Sequence, residues 1–141
     1  RLIQKGLWKE EKMIQFKQDR QEGGHFDLFP AKKSLGTCKV PTTRLSPFLE
    51  QKTDMLKLDI EGAEVEVVKD AEDKLVNVEN MFVEFHSYPD KEQKLSELLK
   101  IIKRAEFRYH IMPGITSSNP FLERETHNGM DNTVNIFAYR T

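Results

Sequence analysis

Asp59, Glu61, Glu84 and His86 are the side chains of this chain whose types and positions could do chemistry. They fall in two short stretches. One runs Leu58-Asp59-Ile60-Glu61-Gly62-Ala63-Glu64, the other Glu84-Phe85-His86-Ser87. Each stretch follows an apolar run that reads as a β-strand, so the polar residues stand at strand ends. In open α/β sheets, ligands bind outside the carboxyl ends of the strands. Neighbouring strand ends lie about 5 Å apart, or about 10 Å with one strand between, so a substrate could touch both groups.

Asp59 suits a general base or a carboxylate that orients a ligand. It could equally cap the helix that follows, with Glu61 and Glu64 favoured by the positive helix end. Gly62 fits a tight strand-to-helix turn. His86 could accept a proton, since an imidazole titrates near 6.5, or it could be an ordinary loop histidine. Glu84 interrupts the apolar run Met81-Phe82-Val83-Glu84-Phe85. A carboxylate there needs a partner or must point into a site. Oxygen and imidazole ligands of this set suit Mg²⁺, Mn²⁺ or Zn²⁺. No metal-specific spacing accompanies them, and the sequence assigns no metal. Asn128, in Asn128-Gly129-Met130-Asp131-Asn132, belongs to a turn that could also close over the strand ends. The chain has no nucleophile elbow, no P-loop and no Gly-x-Gly-x-x-Gly turn.

The elements that must position these residues follow from periodicity. Leu2 to Trp8, Met13 to Phe16 and Cys38 to Thr43 are short strand candidates, the last at a sheet edge because Pro41 lies within it. Residues 21–36 read as a loop. Ser46-Pro47 starts a short helix. Asp54 to Ile60 is so densely apolar that both faces should be buried, as in a central parallel strand. A helix over Ala63 to Leu75 and a strand over Met81 to Phe85 come next. Asp90 to Glu106 is the strongest helix, with Asp90 and Gln93 as a capping box and Leu95, Leu98, Leu99, Ile102 and Ala105 as its buried stripe. A strand over Phe107 to Met112, a polar loop to Met130 and a strand over Asn132 to Tyr139 complete the order. Strand–helix alternation of this kind predicts an α/β fold with a mostly parallel sheet. The last strand follows without a helix and could enter antiparallel.

The bulk properties narrow the setting. The 141 residues suit one domain. Lysine plus arginine is 22 and aspartate plus glutamate 23, a balance that gives no support to a nucleic-acid partner. Cys38 is the single cysteine, which forbids an internal disulfide and favours a reducing, cytoplasmic setting. No apolar run approaches the ~20 residues of a membrane span. The opening Arg1-Leu2-Ile3-Gln4-Lys5 resembles neither a signal peptide nor an initiator end, so the chain is expected to begin inside a longer protein.

Asp54-Met55-Leu56-Lys57-Leu58-Asp59-Ile60-Glu61-Gly62-Ala63-Glu64 resembles the hallmark of the FkbM family of methyltransferases, and Val83-Glu84-Phe85-His86-Ser87 resembles its next strand. Gly6-Leu7-Trp8, Val40-Pro41-Thr42-Thr43-Arg44-Leu45, Asn128-Gly129-Met130-Asp131 and Asn135-Ile136-Phe137-Ala138-Tyr139 extend the resemblance over nearly the whole chain. It implies a Rossmann-like, doubly wound α/β sheet whose last strand is antiparallel. It also implies methyl transfer from S-adenosylmethionine, usually to an oxygen, with S-adenosylhomocysteine as product. Asp59 and Glu61 then face the cofactor, Asp59 and His86 do the chemistry, and Glu84, His86 and Asn128 meet the acceptor. That acceptor is a small metabolite, sugar, lipid or protein. The family's glycine-rich first turn and the acid after its second strand are missing, so residues 1–141 are expected to be the C-terminal part of such a domain, inactive alone. Two further readings stand beside this one: a non-catalytic binding or scaffold module that keeps the fold, and an unrelated α/β domain whose acidic cluster binds a metal.

Overall fold

The computed structural model describes residues 1–18, 24–26, 36–123 and 126–141. They form two mixed sheets and two helices. The first sheet contains β1 (Gly6–Leu7), β2 (Met13–Gln18), β3 (Gly24–Phe26) and β4 (Gly36–Thr43), in the order β1-β4-β2-β3. β4 is antiparallel to β2 and parallel to β1. It is thus an inner strand rather than the edge expected from Pro41. The proline is tolerated because β1 pairs only with Thr42 and Thr43, which leaves Pro41 without a neighbour on that side. Thr42 is buried and ties this corner together. Its Oγ1 donates to the Glu10 carbonyl at 2.7 Å and accepts from the Lys12 amide at 3.0 Å. β3 falls within the stretch expected to be a loop; residues 27–35 of that stretch lie outside the described residues.

The second sheet carries the polar strand ends. It is built from β5 (Thr53–Leu58), β6 (Val78–Ser87), β7 (Arg108–Pro113) and β8 (Asn132–Tyr139), in the order β5-β6-β8-β7. β5 and β6 are parallel, while β8 runs antiparallel to both β6 and β7, as its helix-free connection allowed. Helices α1 (Glu64–Asp70) and α2 (Leu95–Arg104) pack against each other over one face. Leu58, Met81, Val83, Phe85, Ile136 and Ala138 point to that face and join Val67, Val68, Leu98, Ile101 and Ile102 in the core. Each such fully buried aliphatic side chain stabilises the fold by about 1.5–3 kcal/mol.

Side chains alternate across a strand, so the opposite face carries Met55, Lys57, Phe82, Glu84, His86 and Phe137. No helix covers it among the described residues, and Met55 is 57% exposed. The expectation that β5 is buried on both faces is therefore not met there. Among the described residues β5 stands at the sheet edge with one packed face, and Met55 and Lys57 on its other face are exposed.

The helices are shorter than their periodicity suggested. α1 stops at Asp70 and continues as a 3₁₀ turn over Glu72–Asn77. α2 begins at Leu95, and Asp90 makes no capping box with Gln93. Gln93 instead donates to Ser87 Oγ at 3.3 Å. Ser46–Leu49 is a 3₁₀ turn with proline in its first positions and no side-chain cap. No helix among the described residues is long and apolar enough to cross a membrane.

Candidate active site

The period of two in β5 and β6 explains why the singled-out residues meet. Lys57 and Asp59 leave β5 on one side, Glu84 and His86 leave β6 on the same side, and the parallel register sets Leu58 beside Val83. Asp59 Oδ1 and Glu61 Oε2 lie 3.9 and 3.8 Å from His86 Nε2. Asp59 Oδ2 accepts from Lys57 Nζ at 2.9 Å. Asp59 thus does not cap α1, whose N-cap is Ala63 with no side-chain hydrogen bond. One ligand atom each from Asp59, Glu84 and His86 lie within 4.8 Å of one another.

Glu64 is the residue that sequence reasoning left out. It is fully buried at the start of α1. Its Oε1 accepts from the amides of Ile60 (3.2 Å) and Gly62 (3.0 Å) and lies 2.9 Å from His86 Nδ1. The turn that makes this possible bends sharply: Glu61 has φ 55° and Gly62 φ 99°, so only a residue without a Cβ fits the second position easily. Glu64 therefore fixes both the turn and the ring of His86. An acid two residues after that glycine is the available signal, which the sequence reading takes only as a charge favoured by the positive helix end.

His86 is buried, with its side chain 4% exposed. Burial alone lowers its pKa. The Glu64 hydrogen bond and the charges of Glu64, Glu61 and Glu84 outweigh that effect and hold it above its ordinary 6.5. The raised value means that the folded state binds the proton more tightly than the unfolded chain. His86 therefore adds stability that is fully present below about pH 6.5 and is lost as pH rises through the folded value. With chelator present, urea midpoints between pH 5 and 9 should show wild type losing its advantage over His86→Gln as pH rises. A pH-independent difference between the two would contradict the arrangement.

Glu84 is half-buried and makes no hydrogen bond or ion pair with any described residue. Of the two expectations for it, a partner is not found among the described residues. Asn135 faces it across β8, with a buried Oδ1 that has no hydrogen-bond partner. Asn128 stands apart. It and Gly129, with φ 53° and 88°, form the two-residue turn of a tight hairpin closed by His127 and Met130. No hydrogen bond or ion pair joins Asn128 to the cluster among the described residues. The turn is anchored nearby, since the Asp131 amide donates to the Ser87 carbonyl at 3.1 Å.

A cleft of about 410 Å³ adjoins His86, lined among others by Trp8, Gly62, Glu66, Ser87, Tyr88 and Lys94. Glu66 receives Lys9 at 2.7 Å and Lys94 at 3.0 Å, which lowers its pKa and places mixed charge on the cleft wall. The site thus combines a carboxylate cluster, an oriented imidazole and an adjoining cavity. It can bind a cationic group, orient a hydroxyl and accept its proton. No curated protein and no solved structure matches the chain. Residues 3–109 match the methyltransferase FkbM domain, and the chain belongs to that family.

Proposed function

We propose that this protein transfers a methyl group from S-adenosylmethionine to an oxygen acceptor at the ends of β5 and β6. The observation that carries the reading is the convergence of Asp59, Glu61 and His86 beside a cleft, in a chain of a methyltransferase family. The donor set fits the cofactor: carboxylates suit its ammonium and sulfonium charges, so Asp59 and Glu61 would hold that end. Bound, S-adenosylmethionine supplies an electrophilic methyl group. The chain's own residues orient the acceptor and take its proton. Asp59 and His86 accept the proton or share the hydroxyl hydrogen bond, while Glu84 flanks the acceptor. The mixed lining of the cleft, with Trp8 and Tyr88 beside Glu66 and Lys94, suits a small polyol or sugar-like molecule.

On this reading residues 1–141 are one part of a larger Rossmann-like, doubly wound domain, and other strands hold the adenosyl end. Among the described residues the outer edge of β5 is unpaired and the face bearing Met55 and Phe137 is bare, which supports that view, because exposed edges and apolar faces are normally covered. Calorimetric titration of S-adenosylhomocysteine into the full-length protein tests the proposal. Saturable binding is expected, weakened at least ~10-fold by Asp59→Asn combined with Glu61→Gln. Equal affinity in the double variant would remove these carboxylates from the cofactor site. A folded protein that binds none would favour the scaffold reading.

A further inference from the structure

We propose that Asp59, Glu84 and His86 form a binding site for one divalent cation of the Mn²⁺–Zn²⁺ class. Their ligand atoms lie within 4.8 Å of one another. Such an ion holds oxygen and nitrogen at about 2.0–2.2 Å, which places adjacent ligands about 3.0–3.5 Å apart. Closing that gap asks for a movement of about 1.5 Å by Asp59 and Glu84, both partly exposed side chains at strand ends. The imidazole among the oxygens favours Mn²⁺ or Zn²⁺ over Ca²⁺.

Three observations beyond the grouping of acids point to a cation. First, the nearly buried His86 aims Nε2 into the cluster, where the oxygens of Asp59 and Glu61 lie at 3.9 and 3.8 Å. Those distances are too long for hydrogen bonds and leave room for an ion between. Second, Nδ1 is taken by Glu64 at 2.9 Å, the arrangement by which metal-binding histidines are held in one ring orientation. Third, Glu84 has no hydrogen bond or ion pair among the described residues, although it is half-buried. Around this space stand the carboxylates of Asp59, Glu61, Glu64 and Glu84, against Lys57 and at most one charge on His86. Lys57 occupies only Oδ2 of Asp59, so Oδ1 remains turned toward the imidazole.

The role of the cation rests on the methyl-transfer reading: with the ion bound, Asp59 and His86 would act through it rather than as proton acceptors themselves, and it would hold the acceptor oxygen and favour its deprotonated form. The binding itself does not depend on that reading. Mn²⁺ titrated into the chelator-stripped protein, followed by its electron paramagnetic resonance signal, measures binding without cofactor or acceptor. One bound Mn²⁺ per chain is expected, weakened at least ~10-fold by Glu84→Gln and by Asp59→Asn, and 10–100-fold by Glu64→Gln acting through His86. Lys57→Met should leave binding intact or tighten it. Should His86→Gln fail to fold, Glu84→Gln still decides, because the Glu84 side chain makes no hydrogen bond or ion pair among the described residues. No saturable Mn²⁺ or Zn²⁺ binding overturns the proposal, as does binding that Glu84→Gln and Asp59→Asn leave unchanged. Metal binding without S-adenosylhomocysteine binding in the full-length protein would keep the cation site and discard methyl transfer.

Discussion

Glu64→Ala should destabilise the fold by about 3–5 kcal/mol, the largest effect expected of any single site residue. Glu64 is fully buried, and one of its oxygens serves three groups at once: the amides of Ile60 and Gly62 and the Nδ1 of His86. Removing it leaves two amides without that acceptor in a turn already bent through positive φ at Glu61 and Gly62. It also leaves the buried Nδ1 of His86 without its partner and takes away the largest contribution that raises the proton affinity of the ring. Glu64→Gln keeps an acceptor oxygen for the amides while removing the charge, so its cost should be smaller, about 1–3 kcal/mol. Urea denaturation near pH 6 separates the two. A loss below about 1 kcal/mol in Glu64→Ala would mean that the turn does not depend on this carboxylate.

Asp59→Asn should reduce methyl transfer about 10²- to 10⁴-fold, the range that proton transfer by a positioned side chain normally contributes. The same change should barely alter stability. The Asp59 side chain is one-third exposed, and its partner Lys57 is 62% exposed, so their ion pair contributes under about 1 kcal/mol. That contrast separates a chemical role from a structural one. Release of S-adenosylhomocysteine by the full-length protein, screened against hydroxylated acceptors, is the readout. Turnover within ~2-fold of wild type at unchanged Tm would remove Asp59 from proton transfer and leave the imidazole of His86 to do that work.

Much of this protein was legible before its structure. The strands were found because a two-residue alternation and dense β-branched runs leave few alternatives: β8 (Asn132–Tyr139) has its expected bounds, and the strand-end position of Asp59 and His86 followed from β5 and β6. The hallmark around Asp59-Ile60-Glu61-Gly62 was specific enough to indicate the family that residues 3–109 match. That match ends at Tyr109, before the final strand, so the antiparallel entry of β8 rests on its pairing rather than on the family. Helix ends were less legible. Asp90 and Gln93 have the residue types of a capping box, yet Ser87 Oγ takes the Gln93 amide, a competition between local and tertiary partners that spacing does not encode.

Sequence by itself determined which side chains have types suited to chemistry and that they stand at strand ends, because side-chain type and strand period are local properties. Only the tertiary structure decided what they do to one another. Two chain segments more than twenty residues apart converge because β5 and β6 pair in parallel, and that pairing places Asp59 beside His86. Glu64 shows the difference most clearly. One acid among several in the sequence, it becomes the group that sets the turn, the ring and the charge of the site once burial removes water as a partner. The outer edge of β5 belongs to the same class of fact: a run apolar enough for burial on both faces has one face packed, since burial depends on what lies against a strand and not on the strand alone.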